Sequence, residues 1–190
     1  MRAFIAIDIS ESFRGVLERV EASLKYAGAD VKWADPASIH LTLKFLGEIN
    51  DEKCADVKSA LDAIAGSVRP FEMTLKALGA FPEMRHPRVI WVGLDRGASE
   101  ATALAGLVES ALSELGFAKE ERPFSPHLTI GRVRSPLNRD KLIDKISSVS
   151  AGFQPSDAGS YKVSSIILFQ STLTPKGSIY SKLHEAQFTQ

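Results

Sequence analysis

Ile39 to Leu46 reads IHLTLKFL, and Pro126 to Val133 reads PHLTIGRV. Each stretch holds a His-Leu-Thr tripeptide continued by an aliphatic residue, and each alternates in the way that predicts a β-strand. Side chains on a strand point to opposite faces in turn, so His40 and Thr42 face one way while Leu41 and Leu43 face the core. The same holds for His127 and Thr129 against Leu128 and Ile130. By the same alternation Phe45 belongs to the core. Lys44 shares the face of His40 and Thr42; a solvated lysine is its default reading, and a place lining a cleft is the alternative.

Around these strands the chain repeats itself. Ala3 to Ile9 (AFIAIDI) reads as a strand, Ser10 as a helix N-cap, and Phe13, Val16, Leu17, Val20 and Leu24 as the apolar stripe of a helix. After the first histidine strand a helix carries Cys54, Val57, Leu61 and Ile64, and Phe71 to Leu78 returns to strand character. Val89 to Leu94 then opens a second series. A helix through Leu104, Val108 and Leu112 follows, then His127 to Val133, a helix through Leu142 and Ile146, and a strand from Val163 to Phe169. Phe4 and Val89 are 85 positions apart, His40 and His127 are 87, and Ser59 and Ser147 are 88. A near-constant offset implies an internal duplication, with repeats of approximately 1–86 and 87–178. The period is too long for a solenoid. Two copies imply two pseudo-symmetric lobes in a single bilobal domain over 1–190, with an extra C-terminal strand over 179–188. Ala151 to Ser160 reads as a loop.

Composition bounds the partners. The chain has 190 residues with 23 Lys+Arg and 23 Asp+Glu, and this zero balance argues against nonspecific coating of long nucleic acids. It leaves recognition of one nucleotide or one RNA end open. The longest hydrophobic run, Ala3 to Ile7, is far short of the roughly 18 residues needed to span a bilayer. One cysteine, Cys54, allows no internal disulfide and no cysteine metal cluster. A cytoplasmic monomer without a membrane partner is expected.

Two facing histidine strands would offer two imidazoles and two hydroxyls to one cleft. Histidine titrates near 6.5, so near neutral pH one ring can be neutral and the other protonated. That equips the cleft for in-line displacement at phosphorus, one imidazole taking a proton from water and the other giving one to the leaving oxygen. Thr42 and Thr129 can donate hydrogen bonds to the phosphate oxygens. Neither metal nor cofactor is required.

The repeated His-x-Thr-x motif resembles that of the 2H phosphoesterases, and within them the bacterial RNA 2′,3′-cyclic phosphodiesterase (2′-5′ RNA ligase) family. The resemblance extends through Arg2–Ile7, Lys32-Trp33, Ile39–Glu48, Pro87–Gly93, Pro126–Arg132 and the Gln170-Ser171 to Tyr180 segment. It implies an α+β fold whose lobes each carry a mainly antiparallel sheet and two helices around a central cleft. It further implies hydrolysis of RNA or nucleotide 2′,3′-cyclic phosphate to the 2′-phosphate, with weak reversible 2′-5′ ligation. His40 matches the proton donor, His127 the proton acceptor and Arg132 the phosphate-gripping arginine. Strict alternation puts Arg132 on the face opposite His127 unless Gly131 marks a bulge.

Other residues have plainer readings. His86 and His184 read as structural or surface histidines, Cys54 as packing, and Trp33 and Trp91 as core in preference to base-stacking platforms. Three rival functions stay open: a sister 2H enzyme acting on another cyclic phosphate or on 2′-5′ oligonucleotides, a non-catalytic RNA-end binder, and, least favoured, a metal-dependent phosphoesterase.

Overall fold

A computed structural model describes residues 1–154, 158–175 and 177–189. In chain order the elements are β1 (Arg2–Ile7), α1 (Glu11–Lys25), β2 (Val31–Trp33), a short 3-10 turn (Pro36–Ser38), β3 (Leu41–Glu48), α2 (Asp51–Ala65), β4 (Phe71–Met73) and β5 (Leu75–Phe81). The second half continues with β6 (Val89–Leu94), α3 (Ala98–Glu114), β7 (His127–Val133), α4 (Arg139–Gly152), β8 (Tyr161–Val163), β9 (Ser165–Thr174) and β10 (Gly177–Gln187). The fold is α+β. The Ala151–Ser160 loop expected from composition lies partly outside the described residues, and α4 occupies its first two positions.

Local sequence accounts for the helix starts. Ser10 accepts the Phe13 amide and so caps α1, with Glu11 in its first turn and Lys25 in its last. Asn50 does the same for α2 through the Lys53 amide, ahead of Asp51 and Glu52.

Two antiparallel sheets dominate, in strand orders β10-β9-β1-β3 and β2-β7-β6-β5, with β4 and β8 forming a separate pair. Neither large sheet is built from one half of the sequence. β9, from the second half, pairs with β1, and β5, from the first, pairs with β6. β2, also from the first half, pairs with β7, so the lobes exchange strands in both directions, which the reading of one lobe per repeat did not foresee. β10 forms the outer edge of the first sheet beside β9.

One apolar cluster runs behind both sheets and under the helices, taking Ala3, Ile5 and Ile7 from β1 and Ile90 and Val92 from β6. A second, smaller cluster lies on the opposite face of the first sheet: Phe4, Ala6, Ile167 and Phe169, with Tyr180 against it. β1 is thus covered on both faces, which is why its sequence is continuously apolar rather than alternating.

Both histidine strands break register at the same place. Along β1 and β3, Ala6 pairs with Thr42 but Ile5 pairs with Lys44, leaving Leu43 as an extra residue. Along β6 and β7, Trp91 pairs with Thr129 but Ile90 pairs with Gly131, leaving Ile130 as its counterpart. An inserted residue reverses the alternation beyond it. Two expectations fail for this reason. Phe45 is 60% exposed instead of core, and Lys44 is 3% exposed instead of solvated or lining the cleft. Lys44 turns inward, where its ammonium meets the Glu109 carboxylate at 2.8 Å and the Ala118 carbonyl at 2.8 Å.

Candidate active site

The two histidines are held alike. His40 stands immediately before β3, and its Nδ1 lies 2.7 Å from the Ser38 carbonyl; His127 opens β7 with its Nδ1 2.6 Å from the Ser125 carbonyl. A carbonyl can only accept, so Nδ1 carries the hydrogen in both rings and Nε2 is left free to exchange a proton. β3 and β7 lie against each other at the junction of the sheets with no ladder between them. Thr42 and Thr129 are half-buried on the histidine face of their strands.

Aromatic rings support each imidazole. Phe4 stacks on His40 at 4.6 Å between ring centres, and Tyr180 meets it edge-on at 5.1 Å. Phe81 meets His127 edge-on at 4.9 Å, with Trp91 tilted beside it at 6.3 Å. Trp91, read from sequence as core, instead lies partly exposed on the face opposite Ile90 and Val92, where it forms part of the wall behind His127. Its place depends on Gly79, which faces it across the β5–β6 pair. In the first sheet the pattern is inverted, with small Ala6 facing large Ile167.

The same kind of register break that exposes Phe45 brings Arg132 to the histidine face. The extra residue is Ile130, one position before the expected Gly131. Gly131 serves packing instead. A Cβ there would lie 2.8 Å from Val31 Cγ1 and 3.0 Å from the Trp33 ring, so glycine lets β2 pack against β7. Trp33 packs partly buried against the core.

Burial against the rings holds both imidazoles below the ordinary histidine value of 6.5. Their charged surroundings differ. The Ser38 carbonyl and the Asp8 carboxylate draw His40 back upward, against a smaller opposing effect from Arg14. At His127 the Ser125 carbonyl acts upward and Arg132 pushes further down. Backbone register explains the contrast. Gly93 pairs with His127, whereas continuing the Ile7–Leu41 pairing by one residue sets Asp8 opposite His40. Sequence reasoning missed Asp8, although the offset of 85 that matches Phe4 to Val89 also matches Asp8 to Gly93.

It also missed Arg14. The Arg14 guanidinium binds the Pro36 carbonyl at 2.8 Å, the Ile39 carbonyl at 3.2 Å and Asp8 Oδ1 at 2.5 Å, bracing the turn that presents His40. Of the remaining histidines, His86 hydrogen-bonds to Glu83 three residues away, and His184 reaches from β10 to Asp62 on α2. Among the described residues, no group of three or more His, Cys, Asp or Glu side chains is arranged to hold a metal ion. Among the same residues, no helix is long and apolar enough to cross a membrane. A cavity of about 620 Å³ opens between the end of β3 and the loop after α3, lined by Leu46, Asn50, Lys53, Leu115 and Phe117. It contains no histidine.

The chain is similar to proteins of known activity. The family model for LigT-like phosphoesterases matches twice, over residues 7–91 and 92–180. The RNA 2′,3′-cyclic phosphodiesterase of Methanothermobacter thermautotrophicus is 36% identical, over 96% of both chains. That of Methanocaldococcus jannaschii is 37% identical, over 97% of this chain and 99% of its own. Among solved structures, a Thermus thermophilus protein superposes with a TM-score of 0.81 at 25% identity, covering 99% of this chain and 98% of its own. Escherichia coli LigT complexed with 3′-AMP superposes at 0.71, also at 25% identity, over 100% and 98%. With a doubled match spanning nearly its whole length and relatives this similar from end to end, the chain belongs to the LigT-like phosphoesterase family of 2H enzymes.

Proposed function

We propose that this protein is an RNA 2′,3′-cyclic phosphodiesterase that opens the cyclic phosphate to the 2′-phosphate by acid–base catalysis between His40 and His127. The observation that carries the reading is the pair of imidazoles, each fixed through Nδ1 by a backbone carbonyl and each left with a free Nε2. Their unequal surroundings support the division of labour. His127, beside Arg132 and over Gly93, faces no carboxylate, and it takes a proton from the attacking water. His40, opposite Asp8, is the ring better supplied with negative charge, and it gives a proton to the leaving O3′. A P–O bond to water forms as the P–O3′ bond breaks, leaving the 2′-phosphate and a free 3′-hydroxyl.

Thr42 and Thr129 donate hydrogen bonds to the non-bridging oxygens, and Arg132 holds the phosphate charge. With an RNA 5′-hydroxyl in place of water, the same proton transfers join it to the cyclic end as the P–O3′ bond breaks, which gives weak 2′-5′ ligation. We place the reaction in the cytoplasm, in keeping with a lone buried cysteine. The deciding experiment is incubation with a nucleoside 2′,3′-cyclic phosphate in EDTA, with the product isomer identified. A 2′-phosphate is expected. Activity lost in EDTA and restored by Mg²⁺ or Mn²⁺ would overturn the paired-histidine mechanism.

A further inference from the structure

Strand β2 is only three residues long, yet it sets two positive charges against each other. Lys32 pairs directly with Arg132 across the β2–β7 ladder. Their neighbours Val31, Trp33 and Val133 pack against the core, so Lys32 and Arg132 share the opposite, exposed face. Like charges directly opposed on one sheet face destabilise the pair. Here nothing relieves them: among the described residues neither side chain makes an ion pair, and the residue flanking Arg132 on its other side is Val89. A lysine on an edge strand also discourages strand addition, but that role does not call for a place opposite an arginine. An uncompensated cationic pair beside a phosphate-handling site fits an anion that arrives with the substrate.

The two cations are not equivalent. Arg132 lies close enough to His127 to depress its proton affinity, and Lys32 is not among the charges that do so. Lys32 stands one strand further out, about 4.8 Å away across the ladder. Two long side chains rooted that close together on one face can reach two neighbouring phosphates of a single strand. We propose that Lys32 binds the phosphodiester 5′ to the terminal nucleotide, so that the enzyme favours RNA ends over free cyclic nucleotides. The proposal rests on the phosphodiesterase reading above and specifies its substrate class.

The test compares kcat/KM for uridine 2′,3′-cyclic phosphate and for the dinucleotide UpU ending in a 2′,3′-cyclic phosphate. Wild-type enzyme, Lys32→Ala and Lys32→Arg are measured at two salt concentrations. The wild type should prefer the dinucleotide by roughly fivefold, the effect of one exposed ion pair at its upper range. In Lys32→Ala that ratio should fall toward one through a rise in the dinucleotide KM, and Lys32→Arg should restore it. The salt dependence of dinucleotide binding should lose a slope of about 0.7, one phosphate contact on a single strand. A wild-type ratio of one, or an equal loss on both substrates in Lys32→Ala, would overturn the proposal while leaving the phosphodiesterase intact. Turnover of neither substrate by the wild type would remove both readings together.

Discussion

Gly79 is the position where a single methyl group should reach the chemistry. A Cβ at Gly79 would lie 2.3 Å from both Cη2 and Cζ2 of Trp91 and 2.8 Å from Cε2. Ordinary contact begins near 3.4 Å. The indole, or the β5 backbone opposite it, must therefore retreat by more than about 1 Å, a strain that overpacked cores usually express as about 1–3 kcal/mol of lost stability. Trp91 is wedged between Phe81 at 5.2 Å and His127 at 6.3 Å, so its retreat displaces the wall behind that imidazole. A misplacement of about 1 Å can cost on the order of 10²-fold in rate. Gly79→Ala should accordingly lose roughly 10–10²-fold in kcat on a nucleoside 2′,3′-cyclic phosphate, by that same reasoning, with KM less affected. Steady-state kinetics beside a thermal melt would read both effects. Adding Trp91→Leu should recover much of the melting temperature lost to Gly79→Ala, because the clash disappears with the indole. Wild-type kcat and stability in Gly79→Ala would refute the argument that Trp91 positions His127.

Three further predictions concern protons and charge. Since burial holds both histidines below 6.5, the bell-shaped pH profile of kcat/KM, whose peak is the mean of its two apparent values, should crest on the acid side of 6.5. His127→Ala should lose the limb that rises with pH and His40→Ala the limb that falls, each costing roughly 10²–10⁴ in rate; an unchanged bell in both would make the repeated motif structural. Arg132→Lys keeps the charge but loses the two-pronged grip, so substrate binding and rate should both fall with little change in folding, and wild-type kinetics there would remove Arg132 from the site. Glu21 is buried on α1, and burial raises its carboxyl to about 7. A raised folded-state value means that the contribution of Glu21 to stability is fully present below 4.5 and is lost as pH climbs through 7, by about 3 kcal/mol in all. Urea unfolding at pH 5 and pH 8 should show Glu21→Gln flattening that slope; equal slopes in variant and wild type would contradict it.

Much of the site was legible because duplication writes its chemistry twice. A histidine two residues before a threonine on a strand puts both on one face, and its recurrence at the matching position of the second copy singles it out. The cap of α1 was equally open to reading, since Ser10 acts on an amide three residues away. The bulges at Leu43 and Ile130 were not. A period of two carries no mark of where an extra residue slips in. The adjacent apolar pair Phe45-Leu46 was the one available sign, and it was absorbed into a single strand. β2 is too short to show a period at all. The exchange of β5 and β9 was beyond reach for another reason: alternation tells which face of a strand is buried, never which strand lies beside it. Asp8 stayed hidden because a duplication displays what its copies share, whereas Asp8 matters for how they differ.

The exchanged strands also bear on how the molecule could have arisen. The β1–β9 and β5–β6 ladders each join strands from both halves of the sequence within one sheet, and among the described residues no ladder links the two large sheets. Reciprocal exchange of strands is what a swapped dimer of a half-length chain produces. In such a dimer the two histidines are bound by symmetry to identical surroundings, and neither can specialise. Joined in one chain, each copy is free to change alone, and an aspartate facing one imidazole where a glycine faces the other is a difference that no symmetric ancestor could have held.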